Sequence, residues 1–505
     1  MSPGLVFQNF GRLFAPALRP DFTTARWVFA RLLGAVLFCA FGSLALQIRG
    51  LAGERGIMPA QRWLDAVWNQ LGAAALWQVP TLCWLGAGDA MLLGLCLAGV
   101  ALAVVLMWGE WFPGPCALVS WALYLSLCSV VNPFLNFQWD ALLLEVALLA
   151  AAYLPWSRRP DWAKSTFVSE TARLLLWWLL FRLMFESGAV KLASGDPAWA
   201  SFTALDFHFE TQPLPLWTSW FVHQLPEWLL CLATFVMFAI EFLAPLLLLA
   251  PRRWRHGAAW ALIALQVAIL TTGNYAYFNW LTIALCLLLF DDTAWPARLR
   301  ARIGSASPTE SVPPWARWTT LGLAAIVVLI TLQPLLSSMR LVKKWPAPFA
   351  ALSSTFAPLR SFNGYGLFAV MTTERREIIV EGSNDGVNWR SYEFRWKPGD
   401  LGQRPRFVAP HQPRLDWQMW FAALGSLRDN PWFAEFLIRL LQGSPEVHAL
   451  LPENPFPDQP PRFIRATFYD YHFTKFGELG WWRREPLGLY CPAITLQDGK
   501  PAFAQ

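Results

Sequence analysis

The sequence predicts a membrane α-helical bundle of about nine transmembrane helices over residues 1–340. An extracytoplasmic α+β domain with a β-sandwich-like part follows over residues 341–505. Three observations predict this. Of the 505 residues 55% are hydrophobic and only 15% charged, whereas a soluble chain carries about a quarter charged residues. Apolar runs of about 20 residues, the length that crosses a bilayer, recur through the first two thirds. The last third changes to period-two alternation with turn signals, the pattern of half-buried strands.

The chain begins with an Arg-bearing stretch (Arg12, Arg19, Arg26, Arg31) that leads into Trp27–Leu46. That run is too long for a signal-peptide core and lacks a small-residue cleavage site, so it reads as a first transmembrane helix and no cleavable signal is expected. A connector over 47–89 carries Trp63, Trp68, Trp77 and Trp84 on an amphipathic stretch. Two readings are open for it, a segment lying in the membrane interface and an ordinary aromatic belt. Further apolar runs at 90–108, 116–132, 139–156, 172–190, 228–250, 257–272, 276–290 and 319–337 complete the nine.

Three connectors are basic: Ser157–Ser165, Pro251–His256 and Asp291–Gly304. They fall on one side if the N-terminus is cytoplasmic, and an odd number of spans then leaves the tail outside. The segment Thr293–Pro314, rich in Ala, Arg, Ser and Pro, reads as a flexible linker. In the tail, YGLFAVMTTERREIIVEGSNDGVNWRSYEFRWKP alternates as strands around the turn Ser383-Asn384-Asp385-Gly386, the pattern of a β-sandwich or a meander. RLDWQMWFAALGS and NPWFAEFLIRLLQGSPEVHALL have helical periodicity, and RFIRATFYDYHFT returns to an extended pattern.

A net charge of +6 suits topology-fixing loops and gives no support for a nucleic-acid partner. The eight Cys are scattered, seven of them in the membrane half, without CxxC or His-paired spacing. Neither a disulfide framework nor a metal site is expected, and no cofactor motif is present.

Chemistry is carried by charges placed where lipid should be. An ionised side chain near mid-bilayer costs about 2.5–3.5 kcal/mol, so such residues usually face a bundle interior and mark a site. Arg182 and Glu186 stand four apart on one helix face and could neutralise each other. Asp140 opens the fourth run, the ordinary place for an acid. Glu145 lies nearly two turns further in, and Arg182 is its expected partner. Glu241 is buried by the same logic, with Pro245 removing the amide that would bond its carbonyl. Lys191 has two readings: a snorkelling ammonium at the interface, or a desolvated amine able to act as a base. ALDFHFETQP alternates, and if extended it puts Asp206, His208 and Glu210 on one face with Gln212 beyond. Such a row could do acid–base work, recognise a partner or form a structural hydrogen-bond network.

FNFQWDALLLE, ESGAVKLASGDPAWASFTALDFHFETQPLP, FAVMTTERREIIVEGSNDGVNW, FVAPHQPRLDWQMWFAAL and NPFPDQPPRFIRATFYDYHFT resemble the lipase maturation factor family, over about Phe134 to Phe473. The resemblance implies multipass membrane residents whose animal members sit in the endoplasmic reticulum and help secreted lipases reach an active, dimeric fold. GAVKL is more loosely similar to a stretch in vitamin K-dependent gamma-carboxylases and the DoxX-like membrane group. That likeness would make Lys191 a base for quinol oxygenation.

The leading expectation is a membrane factor that assists exported client proteins such as lipases, meeting them through the tail and Asp206–Gln212. The competing one is a membrane enzyme for a quinone-like or lipid substrate, with Lys191 as base and Arg182, Glu186, Glu145 and Glu241 shaping the pocket. A third is a structural subunit whose buried charges fix helix register. Client protein and membrane lipid are the expected partners. Composition rich in Ala, Leu, Arg and Trp points to a bacterial inner membrane, with the tail in the periplasm.

Overall fold

The computed structural model describes residues 21–303 and 313–504. Arg12 and Arg19 therefore lie outside the described residues, as does 304–312 of the predicted linker. All nine apolar runs are helical in whole or part: α1 (Thr23–Ala45), α2 (Asp89–Trp108), α3 (Pro113–Val130), α4 (Gln138–Tyr153), α5 (Phe167–Ser194), α7 (Glu227–Leu246), α8 (Arg252–Leu270), α9 (Phe278–Leu287) and α10 (Pro314–Ser338). A short α6 (Ala204–Thr211) lies between α5 and α7. Among the described residues, five of these helices, α1, α2, α3, α7 and α10, are long and apolar enough to cross a membrane. The expected count of nine spans is thus supported for five. The others are shorter, as α4 and α9 are, or carry more charge, as α5 does.

The two ends of the bundle differ. At one end the start of α1 meets the basic connectors. Thr24 N donates to Asp292 at 2.8 Å, Arg26 donates to the Lys164 carbonyl at 2.8 Å, and Asp291 holds Arg252 at 3.0 Å and Arg255 at 3.2 Å. Beside them α2 closes on Gly109 in the left-handed region at φ 71°, where a Cβ would run into the Arg31 guanidinium at 2.5 Å. At the other end Ser43 of α1 and Gln47, just beyond its end, bind the tail. Gln412 N donates to Ser43 Oγ at 2.9 Å, and Gln47 accepts from Arg414 N at 2.8 Å. The tail therefore sits on the end away from the basic connectors. The linker reading needs one correction, because Ala297–Ile303 is helical.

The tail holds five strands, β1 (Arg375–Ser383), β2 (Arg390–Tyr392), β3 (Phe463–Phe473), β4 (Trp482–Gln497) and β5 (Lys500–Phe503). They form one antiparallel sheet in the order β2-β1-β3-β4-β5. The expected turn joins β1 to β2: Asp385 accepts from Val387 N at 2.8 Å and Asn388 N at 2.7 Å, and Gly386 takes φ 76°. The sandwich expectation is corrected, since among the described residues no second sheet faces this one. Its place is taken by helices. Ile378 and Val380 of β1 join the main core, to which α11 (Arg414–Ala423) and α12 (Pro431–Leu441) contribute Trp417, Met419, Phe433 and Phe436. On the opposite face Ile379 packs with Tyr471, Phe473 and Trp482 against Trp220, from the short helix after α6. A strand buried on both faces reads as a nearly continuous apolar run, and the EIIV of β1 is one.

Candidate functional site

All but one of the predicted intramembrane charges pair off among the described residues, and two of the pairs involve the tail. Arg182 of α5 donates to Glu145 of α4, and both are essentially inaccessible, at 0% and 1%. The tail completes the set. Tyr365 Oη donates to Glu145 at 2.7 Å, Asn363 N approaches it at 3.3 Å, and Arg182 donates to the Asn363 carbonyl at 2.8 Å. The Glu145–Arg182 pair is thus as expected. The Arg182–Glu186 pairing is not: Glu186 is buried with no ion pair among the described residues, because Arg182 turns to α4. Glu186 Oε2 is left without a hydrogen-bond partner, while Oε1 lies against Gly364, 3.0 Å from where a Cβ would stand.

Asp140 caps α4, accepting from Phe137 N at 3.3 Å, as an acid at that position should. It also receives Arg414 on both oxygens, at 2.6 and 2.8 Å, and Tyr277 Oη at 2.9 Å, with Tyr124 Oη completing the shell. Arg414 escaped the sequence reading although it opens RLDWQMW. The signal available was an Arg beginning a helix of otherwise buried residues.

Lys191 neither snorkels nor stands free. Its Nζ donates to both oxygens of Glu241 on α7, at 2.9 and 3.0 Å, and lies 5.3 Å from the centre of the Trp199 ring. The two bonds form an ion pair buried inside the bundle. The pair also accounts for Glu241.

The DFHFETQP segment departs most from expectation. It is helical over α6, and at about 3.6 residues per turn Asp206 and Glu210 share a face while His208 points nearly opposite. The predicted one-sided row of three is not formed. Pro213 ends the helix by pushing Gln212 into extended geometry. Glu210 gains imidazoles from elsewhere: His472 at 3.3 Å and His223 at 3.7 Å, with Phe473 N donating to it at 2.6 Å. Gln212 is fixed on all sides. Its Nε2 reaches the Thr272 carbonyl at 2.7 Å and Ser219 Oγ at 3.0 Å, and its Oε1 accepts from Tyr275 at 2.9 Å.

Tyr275 has one proton and gives it to Gln212, so the contact at 3.1 Å must be a donation from His208 Nε2 to Tyr275. Burial, then the charge of Lys191, pushes the His208 pKa down to about 4 and keeps the ring neutral. Asp206 is partly exposed, and burial with Glu227 nearby pushes its carboxyl up.

Arg375, at the start of β1, binds this segment to the sheet. It donates to the carbonyls of Glu210 at 2.6 Å, Gln212 and Pro213 at 3.0 Å, and to Glu377 at 2.7 Å. Among the described residues no cluster of three or more His, Cys, Asp or Glu side chains is arranged to hold a metal ion.

An apolar helical bundle, buried ion pairs shared between bundle and tail, and a sheet seated on one end define a multipass membrane protein whose polar interior holds two halves together. Comparison with known proteins is specific. The lipase maturation factor transmembrane domain matches residues 24–297, and the lipase maturation factor C-terminal domain matches 361–492. The chain belongs to the lipase maturation factor family. It is 36% identical to human lipase maturation factor 2, over 94% of this chain and 83% of that protein. It is 33% identical to lipase maturation factor 1 of Bos taurus, over 95% and 91%, and 34% identical to the Mus musculus protein, over 95% and 89%. No solved structure matches it.

Proposed function

We propose that the chain is a multipass membrane factor that assists the maturation of exported lipases, with its basic end in the cytoplasm and its sheet on the outer side. The observation that carries this reading is the likeness to lipase maturation factors, which runs through both halves of the chain. On this reading α4, α5, α8 and α9 also traverse the bilayer, sheltered among the more apolar helices. Arg182, Glu145, Glu210 and Gln212 brace the tail against the bundle, and Glu241 ties α7 to α5 through Lys191. Asp206, on the open side of α6, is the predicted site residue left within reach of a client.

The enzyme reading is not favoured, because Lys191 is held as a donor by Glu241. The test is to express a secreted lipase in cells lacking a maturation factor, with and without this chain. The expected result is secreted, dimeric, active lipase only when the chain is present. Equal lipase activity and dimer content in both cultures would overturn the proposal.

A further inference from the structure

The bundle encloses a cavity of about 320 Å³ between α5, α7, α8 and α9, roofed by α6 and Leu367–Phe368. Its walls are mostly apolar, among them Leu183, Met237 and Ile269. That volume is at the low end of the ~300–1,000 Å³ usual for small-molecule sites, which suits one hydrocarbon chain and not two.

Three features define what fits. The first is the way in. Ala233 of α7 and Ala268 of α8 both line the cavity and are themselves exposed. Around them Leu232, Phe235, Val236 and Val267 are exposed at 44–57%. An apolar surface of this kind on membrane helices faces lipid, so the mouth between the two alanines opens sideways into the bilayer.

The second feature is charge. Lys191 and Glu241 cancel, and the other polar groups lining the cavity, His208, Tyr275, Gln266 and Asn279 among them, are neutral. A charged head would be buried without a counter-ion, at high cost.

The third is a weakly paired donor. Gln266 is 3% exposed, and its Oε1 is taken by Asn279 Nδ2 at 2.8 Å. Its Nε2 has only the Met184 sulfur at 3.6 Å, a weak acceptor. An oxygen-bearing ligand would give that amide a stronger acceptor than the thioether it has.

We propose that this cavity binds one uncharged, single-chain amphiphile of the monoacylglycerol kind. The molecule is taken sideways from the bilayer, with its oxygens at Gln266 beside the Lys191–Glu241 pair and its chain along the apolar wall. The site does not depend on the maturation reading and stands or falls without it.

The test uses the full-length protein in liposomes and a monoacylglycerol bearing a diazirine and an alkyne. Labelled peptides are mapped by mass spectrometry. Labelling is expected in α5, α7 and α8 residues that face the cavity. It should fall about tenfold or more, the equivalent of 1.4 kcal/mol, in Ala233→Trp and in Ala268→Trp, which plug the mouth from opposite sides. Leu243→Trp, at an exposed position ten residues beyond Ala233 on α7 that does not line the cavity, should label as the parent does and controls for folding. Gln266→Leu should label severalfold less. Unlabelled monoacylglycerol should compete, and oleate, kept anionic at alkaline pH, should not. Labelling that stays at the parent level in both plugged variants, is confined to lipid-facing residues, or is competed equally by oleate would overturn the site.

Discussion

Arg414 and Asp140 form a two-pronged ion pair, 2.6 and 2.8 Å long, at 1% and 2% exposure, although 274 residues separate them in sequence. The pair clamps α11 of the tail onto the opening turn of α4. Arg414 also donates to the Phe134 carbonyl at 3.1 Å, so the same guanidinium fixes the chain that leads into α4.

Removing one partner of such a pair is worse than removing both, because the survivor is left charged and buried. Arg414→Met should therefore cost about 3–5 kcal/mol, read as a lower thermal midpoint in detergent. Adding Asp140→Leu should recover part of that loss. Arg414→Lys should rescue poorly, since a single ammonium cannot span both oxygens and the Phe134 carbonyl. A double variant no more stable than Arg414→Met would show that the charge is not what matters.

The contrast between this pair and Glu145–Arg182 shows what the sequence could convey. Glu145 sits deep in an apolar run, and Arg182 sits at a similar depth in the next helix, so their meeting followed from depth alone. Arg414 begins a helix of the tail, where no membrane depth constrains it, and only the docked fold brings it to Asp140. The helical runs were legible from length and apolarity, and the β1–β2 turn from Ser383-Asn384-Asp385-Gly386. DFHFET was misread because alternation over six residues is too short to separate strand from helix. Arg375, which gathers the carbonyls at the end of α6, lies 163 residues from Gln212. The sheet was read as part of a sandwich because alternating strands need a second layer. Composition did not reveal that helices and Trp220 supply it.

Asp416 of α11 is buried, and desolvation pushes its pKa up from 3.8 to about 6 despite bonds from Trp396 N at 2.8 Å and Lys397 N at 3.1 Å. A pKa raised on folding means that the native state favours the protonated form. Stability from this group is therefore complete below about pH 4 and is lost as pH rises through about 6. Asp416→Asn keeps the accepting oxygen and cannot ionise. It should flatten the fall in thermal midpoint over that window, and an unchanged slope would contradict the assignment.

Gly366 lies where the tail crosses α5. A Cβ there would come within 2.4 Å of Val190 Cγ1, while its amide donates to Gln138 at 3.1 Å. Gly366→Ala should cost about 1–3 kcal/mol by overpacking, and Val190→Ala in the same chain should relieve most of it. Thermal midpoints of the two single variants and the double variant check this.

Arg375 offers the sharpest test of whether the α6 segment is bracing. Its guanidinium satisfies three main-chain carbonyls and one carboxylate within a fully buried site. Each carbonyl left unpaired there costs about 1–3 kcal/mol. In Arg375→Ala, Glu377 keeps Lys397 at 2.9 Å as a counter-ion, so the loss falls on the carbonyls of 210, 212 and 213. Hydrogen exchange should therefore quicken in α6 and in the facing end of β3, where Phe473 N bonds Glu210, while α1–α3 stay protected. Arg375→Lys should lie close to the alanine variant, because one ammonium cannot reach four acceptors. Glu210→Gln, which keeps an oxygen for Phe473 N, should be much milder. If exchange in α6 is unmoved by Arg375→Ala, the joint is held by something else and the bracing role of Glu210 and Gln212 fails with it.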